Sequence, residues 1–209
     1  MPRTAGPARR PPRPYHHGNL RRALLDEALS TIRSAGVEAL TLREIGARLG
    51  VSRTALYRHF ADKGALLEAV ATEGFRTLRE RLTAAWLEGG RSRDAFDAMG
   101  VAYIRFAIDN PSHYRVMFGG FVDAEAGESG LATEAAGSFQ ALVDALASLQ
   151  ESGEVLADGT LQLAHFVWAV VHGVAMLVID GRMHQAGDIE QLTRYAVARL
   201  GTGIDASRS

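Results

Sequence analysis

Apolar residues recur along most of this chain at the three- and four-residue spacing of an amphipathic α-helix. The first stripe of this kind joins Leu20, Leu24, Leu25, Ala28, Leu29 and Ile32. Strand-like alternation of apolar and polar residues is not found, so the spacing predicts an all-α fold. The later stripes predict helices at about 42–49, 52–60, 64–87, 93–109, 112–118, 131–151, 160–180 and 188–200.

The ends of the first three helices carry recognisable capping residues. Asn19 is a plausible N-cap for the first helix, and Gly36 a plausible stop. Thr41-Leu42-Arg43-Glu44 has the spacing of a capping box, and Gly50 suits the left-handed end of the second helix. Ser52 then caps a third helix that we expect to run through Phe60. Two short helices joined by a glycine-containing turn indicate a helix-turn-helix.

The third predicted helix has one apolar and one basic face. Ala55, Leu56 and Phe60 can pack on the first two helices. The opposite face carries Arg53, Thr54, Tyr57, Arg58 and His59. Such a helix fits the major groove of DNA, where arginine pairs with guanine, the threonine methyl touches thymine and tyrosine reaches phosphate. The alternative is an ordinary solvated face, but solvated faces usually mix charges of both signs, and this one is nearly free of acids.

Charge is distributed unevenly between the two parts of the chain. Residues 1–63 carry 12 Lys and Arg against 5 Asp and Glu, whereas the remainder carries 11 against 19. A basic first third on an acidic body indicates a polyanionic partner for that third, although a solubilising basic tail would look the same. With 47% hydrophobic and 22% charged residues, the chain has the composition of a globular protein.

The segment 1–14 holds five of the six prolines and four arginines, and it has no hydrophobic period. We therefore expect a basic arm that is disordered when free. Arg9, Arg10 and Arg13 would either enter the minor groove or act as a non-specific electrostatic tether. The adjacent pair His16-His17 resembles a metal pair, but neighbouring side chains at a chain entry are poor ligands, so capping or phosphate contact is expected instead.

Residues 41–52, with Ala55-Leu56-Tyr57-Arg58-His59-Phe60 and Asp62-Lys63-Gly64-Ala65-Leu66-Leu67, closely resemble the DNA-binding domain of the TetR/AcrR family. The resemblance covers about residues 17–67. It implies that Thr41, Tyr57, His59 and Lys63 contact the DNA backbone, with Lys63 at the start of a fourth helix. Arg53 and Thr54 are the candidates for base readout. Arg43 and Arg58 suit either role.

The same resemblance implies a larger helical domain that binds a small molecule and dimerises. It divides the chain into the arm at 1–14, the helix-turn-helix domain at 15–67, the effector and dimerisation domain at 68–203 and a tail at 204–209. Two further segments also resemble the family, namely 110–118 and Trp168 to Gly173, the second being similar to the Trp-His-Gly core of one subgroup.

Residues 163–179 are apolar on nearly all sides of a helix, apart from His165, His172 and Gly173. Such a helix is either buried or membrane-spanning. The run is short and interrupted by two histidines, which favours burial and no membrane partner. The resemblance implies a four-helix dimer interface built from the helices at about 160–180 and 188–200. The second of these offers Ile189, Leu192, Ala196, Val197 and Leu200.

A ligand pocket in this domain would be apolar with a few polar groups, so we expect a largely apolar effector of unknown identity. Each candidate lining residue could equally be ordinary core. His165 and His172 lie seven residues apart on one helix face, where they could orient a ligand or be satisfied core histidines. The candidates are Tyr103, Phe106, Met117, Phe118, Phe121, Phe139, His165, Trp168, His172 and Met176.

An enzyme is disfavoured, since the sequence has no Gly-rich phosphate loop, no nucleophile elbow and no cysteine. No metal site or cofactor is expected either. A transcriptional repressor that a small-molecule effector releases from a palindromic double-stranded DNA operator is the expected function. An activator and a ligand-independent regulator of the same fold remain alternatives. Without cysteine or an apolar signal segment, a cytoplasmic location is expected.

Overall fold

A computed structural model describes residues 20–124, 129–183 and 188–205. These residues form helices without β-strands, which confirms the all-α prediction. The arm at 1–14, the segment 15–19 with His16, His17 and Asn19, and residues 206–209 of the expected tail lie outside the described residues. The helices are α1 (Leu20–Ala35), α2 (Leu42–Leu49), α3 (Arg53–Tyr57), α4 (Lys63–Glu88), α5 (Arg93–Asp109), α6 (Pro111–Phe118), α7 (Gly130–Glu151), α8 (Thr160–Ile179) and α9 (Ile189–Ile204).

Helices α1 to α3 form a small packed unit whose ends follow the capping residues. The Thr41 hydroxyl accepts a hydrogen bond from the Glu44 amide at 3.3 Å, and the Ser52 hydroxyl accepts one from the Ala55 amide at 3.2 Å. Gly50 ends α2 with φ at 66°, a left-handed conformation that glycine adopts without strain. Leu24, Ile45 and Leu56, among others, fill the centre of this unit.

Helix α3 is shorter than the sequence predicts. It ends at Tyr57 rather than Phe60. The Leu56 carbonyl accepts hydrogen bonds from both the His59 and the Phe60 amides, so the chain tightens into a turn there. Phe60 is nevertheless buried in the core, with only 3% of its surface exposed, as its apolar character predicts.

Helix α4 joins the two parts of the molecule. It begins where the Asp62 carboxylate accepts a hydrogen bond from the Ala65 amide at 2.8 Å, and it continues for 26 residues. The boundary expected between residues 67 and 68 therefore falls inside one continuous helix. Its buried side chains belong first to the three-helix unit and then, from Phe75 onward, to the larger helical body.

The larger body consists of α5 to α9 packed around the second half of α4. Helix α9 is longer than predicted and ends at Ile204, which is 1% exposed. The Leu156 amide donates to the Ile204 carbonyl at 2.9 Å, and Arg93 forms an ion pair with Asp205 at 2.9 Å. Residues 204 and 205 are therefore packed, although the sequence places the start of a tail at 204.

Helix α8 is apolar on its exposed side as well as on its buried side. By length and composition it could cross a membrane, a test that core helices of water-soluble proteins also pass. Its buried residues are Leu163, Ala164, Val167, Val171 and Ala175. Leu161 and Phe166 are 56% and 51% exposed, so this helix presents an apolar surface that the single chain does not cover.

Candidate nucleic-acid interface and ligand cavity

The expected DNA-contacting residues other than Lys63 lie within α2 and α3 or at the ends of these helices. Tyr57 is 43% exposed, which is unusual for an aromatic residue of a core-packed helix. The Arg53 guanidinium carbon lies 5.5 Å from the centre of the Tyr57 ring, in a cation–π arrangement. Thr41, Arg43, Arg53, Thr54, Tyr57, Arg58 and His59 are all exposed.

The arginines of this surface differ from those that hold the helices together. Arg48 pairs with Glu27 at 3.0 Å, and Arg22 pairs with Glu73 at 2.7 Å. Arg43, Arg53 and Arg58, by contrast, form no ion pair within the part of the chain that the structure describes. Their charge is uncompensated locally, as a phosphate-binding surface requires.

Lys63 occupies a different environment from the other seven residues. It is half-buried, and its Nζ donates to the Val37 carbonyl at 2.8 Å and to the Glu38 carbonyl at 3.3 Å. The ammonium group thus fixes the loop between α1 and α2 to the first turn of α4. The sequence did not predict this contact, because the loop carbonyls lie about 25 residues away along the chain.

A cavity of about 480 Å³ lies inside the larger body, between α4, α5, α6, α7, α8 and α9. Its walls are mostly apolar, which fits the expectation of an apolar ligand. Six of the predicted residues line it, namely Tyr103, Met117, Phe118, Phe139, His165 and Trp168.

The other four predicted ligand residues do not line this cavity. Phe106 is 1% exposed and serves as core, with the Arg81 guanidinium over its ring. Phe121 and Met176 are partly buried against the core cluster. His172 lies behind the cavity wall, whereas His165 is exposed at its edge, 5.0 Å from the Phe139 ring centre. The two histidines therefore have different surroundings, despite their shared helix.

A hydrogen-bonded cluster of four aromatic side chains supports one wall. The Trp168 indole donates to the Tyr103 hydroxyl at 3.1 Å, and the Tyr103 and Tyr114 hydroxyls are 3.0 Å apart. His172 Nδ1 lies 2.7 Å from the Tyr114 hydroxyl and 3.1 Å from that of Tyr103. Burial raises the pKa of Tyr103 to about 12 and lowers that of His172, so all four groups are neutral at pH 7.

Sequence reasoning missed several lining residues. Phe75, Leu78 and Leu82 come from α4, and their spacing of three and four residues was the available signal. Asp97, Ser138 and Val197 also line the cavity. Nothing in the spacing of α5 distinguishes Asp97 from a solvated carboxylate, because its position depends on how α5 crosses α9.

Helix α6 connects the cavity to the three-helix unit. Met117 and Phe118 line the cavity, while Ser112, at the other end of the helix, donates to the Leu29 carbonyl of α1 at 3.3 Å. His113 lies 3.3 Å from Glu73, which also binds Arg22 of α1. Burial alone would raise the pKa of Glu73, but the Arg22 hydrogen bond and charge outweigh it and lower that pKa.

Two family models match the chain. Residues 24–70 match the model described as bacterial regulatory proteins of the tetR family. Residues 96–200 match the model described as a tetracyclin repressor-like C-terminal domain. The second match does not distinguish the Trp-His-Gly subgroup, which stays a prediction.

Individual relatives agree with these matches. The chain is 41% identical over 64 residues to the HTH-type transcriptional regulator BetI of Cronobacter sakazakii, covering 31% of this chain and 32% of that protein. It is 47% identical over 51 residues to the class C tetracycline repressor of Escherichia coli, covering 24% and 23%. The chain thus spans a third or less of these curated relatives. A solved protein of unknown function from Rhodococcus sp. RHA1 is similar over 93% of this chain and 100% of its own, with 31% identity and a TM-score of 0.80.

Replacing Arg53 by alanine should relax the DNA sequence preference. Loss of a bidentate arginine contact removes about 1–3 kcal/mol of discrimination at one base pair, while phosphate contacts stay in place. Selection of bound sequences from a random DNA pool measures the effect. Arg76→Ala, which removes an exposed arginine from α4, is the matched control and should leave the selected sequence unchanged. An unchanged motif for Arg53→Ala would exclude base readout by this residue.

Replacing Lys63 by alanine should weaken binding to every DNA sequence alike. If the ammonium group contacts a phosphate in the complex, the slope of log K against log salt concentration falls by about one. Titrations at four salt concentrations, with specific and random DNA, provide that slope. A weakened variant with an unchanged slope would limit Lys63 to holding the loop that contains Val37 and Glu38.

Proposed function

The chain belongs to the TetR family of bacterial regulatory proteins, and we propose that it is a dimeric repressor released from a palindromic operator by a small molecule. Family members bind DNA, and regulators rather than enzymes are the relatives found. The observation that carries the proposal is the double role of α4. Its first residue, Lys63, contacts the three-helix unit, and its later residues line the cavity.

A ligand in the cavity would press on the two helices that reach the DNA-binding unit. Phe75 and Leu82 of α4 and Met117 of α6 line the cavity. Gly74 of α4 lies so close to Met117 that an added Cβ would fall 2.4 Å from its sulfur. Because α4 and α6 approach each other closely at Gly74, we expect a displacement of α6 to be transmitted to α4.

Binding to a palindromic operator requires two subunits whose recognition helices match the operator spacing, and release requires that spacing to change. We propose that α8 and α9 form the dimer interface. Phe166, Gly173 and Leu177 share one stripe of α8, and an added Cβ on Gly173 would meet nothing within 4 Å. That open position permits close approach by a partner helix. On α9, Tyr195 is 59% exposed and adds an aromatic side chain that the single chain does not cover.

The mechanism is then a population shift between two spacings of the recognition helices. A ligand changes DNA affinity only as far as it binds one spacing more tightly than the other. A coupling of 1–3 kcal/mol, typical of allosteric proteins, corresponds to about 5–150-fold in operator affinity.

Two alternatives share the fold. An activator would use the same contacts at an operator placed differently relative to the promoter. A ligand-independent regulator would fill its own interior, and the cavity of about 480 Å³ argues against that reading. We place the protein in the cytoplasm, bound to operator DNA when unliganded, with its apolar α8 face covered by a second subunit rather than by a membrane.

An electrophoretic mobility shift assay tests the proposal directly. The full-length protein should shift DNA from upstream of its own coding region at nanomolar concentration, and at least one compound of a diverse panel should abolish the shift. Arg53→Ala serves as the folded control, and it should bind the same DNA about 1–3 kcal/mol more weakly. The absence of a shifted band in low salt would contradict a DNA-binding function, and a band insensitive to all compounds would favour the ligand-independent alternative.

Replacing Phe166 by arginine should split the dimer. A charge in the centre of an apolar interface leaves an unpaired buried group, which costs several kcal/mol for two symmetric copies. Sedimentation equilibrium gives the subunit association constant, and the same sample gives operator affinity. Leu87→Arg is the matched control, since Leu87 is 50% exposed at the end of α4. If the Phe166→Arg protein is fully dimeric, the dimer interface does not include Phe166.

A further inference from the structure

The polar groups of the cavity have already used most of their hydrogen-bond donors. The Trp168 indole hydrogen goes to the Tyr103 oxygen at 3.1 Å. The Tyr103 hydroxyl in turn lies within 3.1 Å of Tyr114 and His172, which can accept its hydrogen. The donors of these two lining side chains thus have acceptors within the protein and are not free for a ligand.

His165 and Ser138 also line the cavity, and each donates a hydrogen to a backbone carbonyl of its own helix. His165 Nδ1 lies 2.7 Å from the Leu161 carbonyl, and since a carbonyl only accepts, this nitrogen carries the hydrogen. In the neutral ring Nε2 is then an acceptor. The Ser138 hydroxyl donates to the Ala135 carbonyl at 2.8 Å and likewise offers only lone pairs.

Asp97 adds a negative charge to this set of acceptors. Its neighbour Arg93 lies 3.5 Å away but is closer to Asp205, at 2.9 Å. The Arg93 guanidinium thus pairs with both Asp97 and Asp205, and the Asp94 carboxylate is a third negative charge nearby. Burial raises the pKa of Asp97, and Asp94 and Asp205 act in the same direction, so Arg93 does not fully compensate the cost of the charged Asp97 carboxylate.

Among the residues that the structure describes, neither lysine nor arginine lines the cavity wall, and His165 is the histidine at its edge. Aromatic rings are plentiful instead, and ring faces attract cations. Those lining the cavity are Phe75, Phe96, Tyr103, Phe118, Phe139 and Trp168.

We propose that the cavity binds a protonated lipophilic amine, with Asp97 as its counter-ion and the aromatic rings around its apolar part. This inference rests on the proposed function for its regulatory meaning, and it deepens that function by naming the ligand class. Asp97 and Val197 also line a surface groove between α5 and α9, together with Asp94, Arg105 and Arg194. The Asp97 carboxylate therefore lies where the cavity approaches the surface. The two arginines of the groove both form ion pairs with Glu190.

Calorimetric titration of the DNA-free dimer with three matched probes tests this assignment. The probes are 4-biphenylmethylammonium, 4-biphenylmethanol and 4-biphenylcarboxylate, which share one ring system and differ in charge. The ammonium probe should bind at least about tenfold more tightly than the carboxylate, as expected for a charge-assisted hydrogen bond in a half-buried site. A carboxylate that binds as well as the ammonium, or an ammonium that does not bind, would overturn the proposal.

Three substitutions locate the effect. Asp97→Asn should reduce ammonium binding about tenfold while leaving the alcohol within about twofold, because only the charge is removed. Asp97→Glu should restore the preference and shows that the site remains folded. Asp144→Asn makes the same charge change at an exposed position of α7 that lines neither the cavity nor the groove, and it should keep the order of the three probes. Equal probe preference in Asp97→Asn and the unsubstituted protein would exclude Asp97.

A separate mobility shift assay with the ammonium probe distinguishes the ligand class from the regulatory function. Tight, Asp97-dependent binding without release of DNA would uphold the ligand class and contradict release by this ligand. Release of DNA by an anionic compound, with no ammonium binding, would uphold the repressor and contradict the ligand class.

Discussion

The structure depends on one helix having to satisfy two packing environments at once. The 26 residues of α4 begin in contact with the three-helix unit and end within the larger body. Leu66 and Leu67 are buried near its start, and Phe75 and Leu78 further along. Because interiors are packed nearly as densely as crystals, α4 cannot shift at one end without a response at the other. Helix α4 therefore links the hydrogen bonds of Lys63 to the wall of the cavity.

The polar cluster behind the cavity imposes a second constraint. Tyr103 of α5, Tyr114 of α6 and Trp168 and His172 of α8 are joined by short hydrogen bonds inside an apolar region. Buried polar groups are costly when unpaired, so these four side chains fix one relative placement of three helices. Because these three helices also form walls of the cavity, the cluster holds those walls in place.

Local features were the most predictable from sequence, because capping and helical periodicity act over a few residues. Thr41, Gly50 and Ser52 set helix ends that the structure confirms. The end of α3 differed because the Leu56 carbonyl accepts two amides, a detail that periodicity does not encode. Six of ten ligand candidates line the cavity, but Asp97 and the contact made by Lys63 depend on helix crossings. Such long-range placements have no signature in spacing alone.

The stacking of Arg53 on Tyr57 has a consequence for how DNA recognition can change over evolution. A free arginine side chain loses rotamer freedom worth up to about 2 kcal/mol on being fixed. Here the ring of Tyr57, 5.5 Å away, already restricts the guanidinium before DNA arrives. Part of that entropy is lost during folding rather than binding. The two residues are thus coupled, and we expect a change at Tyr57 to alter the base preference that is predicted for Arg53.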